Sequence, residues 1–281
     1  MSSQVTVVIV ANNHGAFLRQ ALESVLHQTL HVDRTIIINN GSTDTTDTIA
    51  REYLDLYFPY IHYYPYIHNH GQLAAFNRGL ELTNTEFVCF LDGDDEIDHT
   101  YCAKLLHTIQ KDKQAAIAYC NTHVFGPREK SAWLTFPQEW RQKEGSSYTL
   151  HYPAYSETIK YLLKKQNYIN NAALFNTTSA REVGGFVYHD EYDLRHYLWY
   201  RLLDEGFSAV HCPHVLYRYR QHAIDQASWQ WRVRKVEAPT LVDKQILYLQ
   251  EEIENLKNSP FYKTEQVLAR LANNFKCDCQ K

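Results

Sequence analysis

Residues 5–10, Val5-Thr6-Val7-Val8-Ile9-Val10, form a run dominated by β-branched side chains that gives way to Asn12-Asn13-His14-Gly15. A run of that length, closed by polar and small residues, predicts a buried strand. Apolar residues then recur at helical spacing (Phe17, Leu18, Ala21, Leu22, Val25, Leu26), which predicts a helix and completes one βα unit. Residues 35–38 predict a second strand. After Gly41-Ser42-Thr43-Asp44 a second helix is expected through Tyr53, with Ser42 or Asp44 suited to its N-cap because a short side-chain oxygen accepts a first-turn N–H. Residues 61–64 predict a third strand, Leu73, Phe76 and Leu80 mark one face of a third helix, and residues 87–91 predict a fourth strand that ends at Asp92.

Strands and helices in strict alternation predict an α/β fold, a mostly parallel sheet with helices on both faces. Ligands of such sheets collect beyond the carboxyl ends of the strands. Those ends carry Asn12-Asn13, Asn39-Asn40-Gly41-Ser42 and Asp92-Gly93-Asp94-Asp95, so three polar clusters are expected on one rim.

Past residues 116–121 the pattern loosens, and Pro127, Pro137, Gly145 and Pro153 predict an elaborated loop over 126–153. A helix is expected near 157–165, a short apolar run at 172–175, and a Gly184-Gly185 turn leading to a helix marked by Tyr192, Leu194, Tyr197, Leu198 and Leu202. Residues 215–220 predict another strand. Val242, Ile246, Leu249, Ile253 and Leu256 then step by four and three, the pattern of a helix that packs on its own domain or forms the seam of a homodimer.

Composition narrows the function classes. The 281 residues can bury one α/β core with an appendage, and 44% apolar with 21% charged residues is ordinary for a folded soluble chain. A net charge of -4 without a Lys/Arg block lacks the footprint of a nucleic-acid binder. No basic residue precedes the run at 5–10, which argues against a signal peptide, and no stretch is long enough to span a bilayer. Six cysteines without framework spacing fit a reducing cytoplasm, including a peripheral place at the inner face of a membrane. Cys277-x-Cys279 has no second ligand pair and reads as a frayed tail, and His211 and His214 beside Cys212 meet no zinc spacing rule.

Asp92-Gly93-Asp94 sets two carboxylates one residue apart at the end of an apolar strand, with a glycine that permits a sharp turn. Hard oxygen ligands of this kind suit Mn²⁺ or Mg²⁺ bridging a diphosphate, while an Asp-Gly-Asp-Asp loop is equally an ordinary polar turn.

The order of elements decides between these. Ser24-Val25-Leu26-His27-Gln28-Thr29, Asn40-Gly41-Ser42-Thr43-Asp44, Asn69-His70-Gly71-Gln72, Asn77-Arg78-Gly79, Asp92-Gly93-Asp94-Asp95, Val183-Gly184-Gly185-Phe186 and Tyr217-Arg218-Tyr219-Arg220 with His222 resemble, in sequence and order, the family 2 glycosyltransferases. The resemblance implies a GT-A fold over 1–225, with a nucleotide-binding half at 1–121, an acceptor-binding half at 122–225, and a helical extension at 226–281. It implies transfer of a sugar, with inversion, from a nucleoside-diphosphate sugar to a hydroxyl of a glycan, a lipid-linked or a protein acceptor. On the matching positions the donor falls to Val10, Asn12, Asn13, Asn39, Gly41, Ser42, Gln72, Asn77, Asp92, Gly93 and Arg220. The metal, Mn²⁺ or Mg²⁺, falls to Asp94, Asp92 and His222, and the base that takes the acceptor's proton to Glu191, with Asp190 as the rival.

The chain departs from the family pattern at three points. Asn39 stands where the family places an aspartate that accepts from a uracil N–H, so UDP, dTDP and GDP donors stay open with UDP favoured by family habit. Val10-Ala11-Asn12 replaces Pro-Thr-Tyr and removes a stacking partner for the base; Phe17 reads rather as core. Asp190-Glu191 exchanges the usual Glu-Asp order, which moves a carboxylate by roughly 1 Å, a displacement that can cost about a hundredfold in rate. The rival to catalysis here is an acidic first helical turn stabilised by the helix dipole. Trp133, Trp140, Tyr148, Tyr152 and Tyr155 offer sugar-stacking faces or core. The alternative to an enzyme is a non-catalytic GT-A module that holds a nucleotide or a partner. A nucleotidyltransferase is disfavoured, because Asn12-Asn13-His14-Gly15 is no basic, Gly-rich phosphate loop.

Overall fold

The structure, a computed structural model, describes residues 4–156 and 160–222. The expected extension at 226–281, the seam at 242–256 and the Cys277-x-Cys279 pair lie outside the described residues. All of the units expected in the first half form: β1 (Val5–Ala11), α1 (Leu18–Leu26), β2 (Arg34–Asn40), α2 (Thr46–Tyr57), β3 (Ile61–Tyr66), α3 (Gly71–Leu82) and β4 (Phe87–Asp92). β1 lies between β2 and β4, and these pairings, like β2 with β3, are parallel. Their carboxyl ends therefore share one edge.

The chain continues through β5 (Glu96–Ile97), α4 (Tyr101–Ile109), β6 (Ala115–Phe125), α5 (Glu129–Trp133), β7 (Arg141–Glu144), β8 (Ser147–Leu150), β9 (Leu174–Asn176), α6 (Thr177–Glu182), α7 (Leu194–Asp204) and β10 (Ser208–Arg220). The sheet order is β3-β2-β1-β4-β9-β6-β10-β5. β9 joins the two halves antiparallel to both β4 and β6, whereas β10 runs parallel to β6.

The sheet separates two cores. Leu18, Leu22 and Val25 of α1, Ala50 and Tyr53 of α2, and Leu105 of α4 pack on one face against Val7, Ile9 and Leu91. Phe76 and Leu80 of α3, with Trp199 and Leu202 of α7, pack on the other against Val8, Phe90 and Phe175. Each such side chain removed from water contributes about 1.5–3 kcal/mol, so the amphipathic stripe, more than helix propensity, fixes where each helix lies.

Several expectations are corrected. The α2 N-cap position is Thr45 with no side-chain cap; Asp44 instead accepts the Thr46 N–H at 2.9 Å, one residue early, and Ser42 is engaged elsewhere. The region 126–153 is not simply loop, because β7 and β8 form a hairpin and β8 extends β6 antiparallel. Arg141-Gln142-Lys143-Glu144 is polar throughout, so no alternation betrayed this edge strand. Trp140 and Tyr152 are buried under it, and Trp133 donates to the Thr149 carbonyl at 2.8 Å, so these aromatics are mainly core. Of the helix expected near 157–165, residues 157–159 lie outside the described residues, Lys160 is helical and Tyr161–Lys164 form a 3-10 turn. α7 begins at Leu194, after Tyr192, because Asp193 caps it by accepting from the N–H groups of Arg195 and His196 at 3.1 and 3.0 Å. Asp190 and Glu191 thus precede the helix, whose first turn holds no acidic residue; Asp193 is its N-cap. The strand expected at 215–220 is the second half of β10, which bulges after Cys212.

That bulge is tied down by polar groups. Asn121 of β6 accepts from His211 Nε2 at 2.9 Å and donates to His151 Nδ1 at 3.2 Å and to the Pro213 carbonyl at 3.1 Å. Burial, with His151 beside it, depresses the His211 imidazole to about 4. Above the ordinary value of about 6.5 the ring is neutral in both folded and unfolded chains. As pH falls from there toward 4, the unfolded chain takes a proton that the fold refuses, and stability drops by on the order of 1–2 kcal/mol for a partly exposed ring. Melting temperatures between pH 7.5 and pH 4.5 should therefore fall further in the wild type than in His211→Gln; equal losses would remove His211 from this role.

Candidate active site

At the shared edge the amides of three strand ends hold one another. Asn12 donates to the Asn40 carbonyl at 2.7 Å and accepts from Asn69 at 3.2 Å, while Asn40 donates to Asn69 at 3.0 Å and accepts the His70 N–H at 3.1 Å. Asn13, at φ 58, accepts the Thr43 N–H at 2.8 Å and gives its own N–H to Ser42 Oγ at 3.0 Å. Gly41, at φ +66, lies so near the next loop that a Cβ would stand 2.2 Å from the His68 carbonyl carbon, so both its torsion and its space require glycine.

Asn39 is only 2% exposed. Its Oδ1 accepts the Ser42 N–H at 3.0 Å and its Nδ2 donates to the Tyr63 hydroxyl at 2.7 Å, which in turn donates to Asp47 at 2.5 Å. β2 runs two residues past its β-branched run, and the Asn39 amide is buried and engaged with Ser42 and Tyr63.

The acidic loop gives its carboxylates three different settings. Asp92, at the end of β4, accepts from Arg195 Nη2 at 2.6 Å. Asp94 Oδ2 lies 3.0 Å from His222 Nε2, and Asp94 Oδ1 lies 3.9 Å from His14 Nδ1. Burial pushes the Asp94 carboxyl up, but the His222 hydrogen bond and the charges of His14 and His222 outweigh it and hold it below the ordinary carboxylate range. Asp95 is 1% exposed, receives the Tyr217 hydroxyl and, at 2.8 Å, the Arg220 N–H, and is pushed well above the ordinary range by burial and by Asp94 and Asp92. Gly93 does not need a left-handed torsion; a Cβ there would stand 2.9 Å from His14 Nδ1 and 3.0 Å from the Ala11 Cβ, so glycine lets the loop press on the end of β1.

Other expected donor residues have found partners within the chain. The Val10 side chain is core, and its carbonyl accepts the Gly93 N–H at 2.9 Å. Gln72 is half-buried in the first turn of α3. Asn77 is turned away to the Gly184-Gly185-Phe186 turn, where it accepts the Phe186 N–H at 2.9 Å and donates to the Phe186 carbonyl at 2.8 Å. Arg220 ties β10 to the loop through the Asp94 carbonyl at 2.7 Å and Gln20 at 2.8 Å, and pairs with Glu96. Phe17, expected in the core, instead lies between the His222 ring at 4.8 Å and the Arg220 guanidinium at 4.9 Å. Asp190 and Glu191 are both exposed; the Tyr188 hydroxyl bonds Asp190, and the Glu191 N–H donates to His189 Nδ1 at 3.1 Å.

Arg195 and His14 carry no motif signal, and Tyr217 lies in the Tyr217-Arg218-Tyr219-Arg220 motif without an expected role of its own. Arg195 stands 103 residues from Asp92, and Tyr217 stands 122 from Asp95. Only the fold brings them together.

The residues fit a divalent cation in one respect. Asp94, its carboxyl held below the ordinary range, stands beside His222, and the buried Nδ1 of His14 has no hydrogen-bond partner. Among the described residues no three His, Cys, Asp or Glu side chains form a ligand set, and Asp94 and His222 are a pair that could contribute to one.

The sequence model described as Glycosyl transferase family 2 matches residues 6–184, more than half of the chain. The putative glycosyltransferase EpsH of Bacillus subtilis (strain 168) is 35% identical over 119 residues, 42% of this chain and 33% of EpsH, so the chain spans a third of that relative's length. Among solved structures, S. aureus TarS residues 1–349 in complex with UDP-GlcNAc is similar with a TM-score of 0.63 at 14% identity, covering 92% of this chain and 68% of that one. The mannosyltransferase PcManGT of Pyrobaculum calidifontis, in complex with GDP-Man and Mn²⁺, has a TM-score of 0.55 at 16% identity and covers 100% and 82%. The fold is GT-A.

Proposed function

The chain belongs to glycosyl transferase family 2, and on that premise we propose that it is a metal-dependent, inverting glycosyltransferase that moves a sugar from a nucleoside-diphosphate sugar, UDP-sugar foremost, to an acceptor hydroxyl. The observation that carries this reading is the Asp94 carboxyl 3.0 Å from His222 Nε2, on the rim where Asn12, Asn13, Gly41 and Ser42 also gather. Bound Mn²⁺ or Mg²⁺ would supply charge neutralisation for the leaving diphosphate. Asp94 and His222 would hold that group; the exposed amide of Asn13 and the half-buried hydroxyl of Ser42 bind and orient the nucleotide. Glu191, ahead of α7, takes the proton of the acceptor hydroxyl as it attacks the anomeric carbon. Asn39 contributes indirectly, by fixing Ser42 and the turn at Gly41.

A thermal-shift panel of UDP, dTDP and GDP and their sugars, each with and without Mn²⁺, tests the reading, because a ligand of the folded state raises the melting temperature. Stabilisation by a uridine nucleotide that depends on Mn²⁺, with turnover of its sugar, is the expected result. Binding without turnover or donor hydrolysis would favour the non-catalytic module, and no shift with any nucleotide would overturn the donor site.

A further inference from the structure

Asp190 and Glu191 stand in an irregular stretch whose two ends are fixed by different means. Asp193 fixes the far end by capping α7. The near end is Phe186, and a side chain from the other half of the fold holds it.

Asn77, in the middle of α3, accepts the Phe186 N–H at 2.9 Å and donates to the Phe186 carbonyl at 2.8 Å, so one amide takes both polar groups of that residue's backbone. Gly185 makes room for it. At φ +68, a Cβ there would stand 2.8 Å from Asn77 Oδ1, so a side chain at 185 and the amide could not share the space. From α7, Arg201 donates to the Val183 and Gly185 carbonyls of the same turn. The Phe186 ring, 2% exposed, lies 5.0 Å from that of Phe76, the residue before Asn77. Beyond Phe186 the chain surfaces, with Val187, Tyr188, Asp190 and Glu191 exposed.

The start of α3 is tied to the donor rim. Asn69 and His70, immediately before the helix, bond Asn12 and Asn40. From Gly71 to Asn77 the helix rises about 9 Å, so a single rigid element joins the rim to the turn that leads to the acidic pair. A general base works only when its carboxylate meets the attacking hydroxyl at hydrogen-bond distance, and a displacement of about 1 Å can cost about a hundredfold in rate. A base on an irregular segment needs such a reference point.

We propose that Asn77 is a positioning residue: through the backbone of Phe186 it sets where the Glu191 segment stands relative to the donor rim, and it makes no contact with the nucleotide sugar. The proposal rests on the reading of Glu191 as the base, and it removes Asn77 from the donor residues that the resemblance implies.

The test compares the full chain with its Asn77→Ala variant in Mn²⁺, using whichever sugar of UDP, dTDP or GDP stabilises the wild type. Three quantities are read: kcat, the donor dissociation constant, and amide hydrogen exchange of peptides covering 187–192 against those of α2. In Asn77→Ala, kcat should fall by about ten- to a hundredfold at unchanged donor affinity. Exchange over 187–192 should quicken at least about fivefold while α2 stays as in the wild type. Weakened donor binding would show that Asn77 is a donor ligand and overturn the proposal. So would a lowered melting temperature with kcat and exchange over 187–192 unchanged, which is all that a merely structural role requires. If Asn77→Ala does not fold, Asn77→Asp carries the same comparison, because it keeps an oxygen for the Phe186 N–H and loses only the donor to the carbonyl; a smaller loss of kcat with the same exchange pattern is expected. A wild type that turns over no nucleotide sugar, but whose segment 187–192 is released in Asn77→Ala, would sink the reading of Glu191 and leave the hold of Asn77 on the turn standing. Unaltered exchange in a protein that transfers sugar would sink the role of Asn77 alone.

Discussion

Asp94→Asn should lower metal-dependent sugar transfer by about a thousandfold or more, equivalent to about 4 kcal/mol of lost transition-state stabilisation. The substitution is nearly isosteric and keeps an oxygen toward His222, so the fold should survive. What disappears is the negative charge, held by the imidazoles below the ordinary carboxylate range despite burial. Two measurements separate the causes. The melting temperature without ligand should stay close to wild type, while the Mn²⁺-dependent stabilisation by nucleotide should vanish. Full transfer activity in Asp94→Asn would show that the metal is held elsewhere. His222→Ala should act in the same direction with a smaller loss, because the ring contributes one neutral ligand where Asp94 contributes a charge.

Glu191→Gln is expected to reduce kcat by about a hundred- to ten-thousandfold at unchanged donor affinity, the range for loss of a general base. The amide is the same size but cannot take the acceptor's proton. Asp190→Asn should cost much less, since Asp190 is tied to the Tyr188 hydroxyl, whereas no hydrogen bond tethers the Glu191 carboxylate among the described residues. Both residues lie in the irregular segment between the Gly184-Gly185 turn and the Asp193 cap, where one methylene can be absorbed by the backbone, as it could not be inside a helix. A larger loss in Asp190→Asn than in Glu191→Gln, with donor binding intact in both, would reverse the assignment.

The sequence alone determined the βα units of the first half and the rim they share. β-branched runs and helical spacing are local signals, and parallel pairing through short crossovers leaves each strand's carboxyl end on the same edge. Asn12-Asn13, Gly41-Ser42 and the acidic loop were placed together for that reason. The sequence could not show the β7-β8 hairpin, whose first strand is polar on both faces, nor the partners that engage Asn39 and Asn77 within the chain. Least of all could it tell apart the surroundings of Asp92, Asp94 and Asp95. Three like residues in one short loop acquire different chemistry from burial and from Arg195, His222 and Tyr217, which arrive from elements more than a hundred residues away. Carboxylate charge depends on desolvation and on the nearest partner, and both are properties of packed space, so only the tertiary structure decided them.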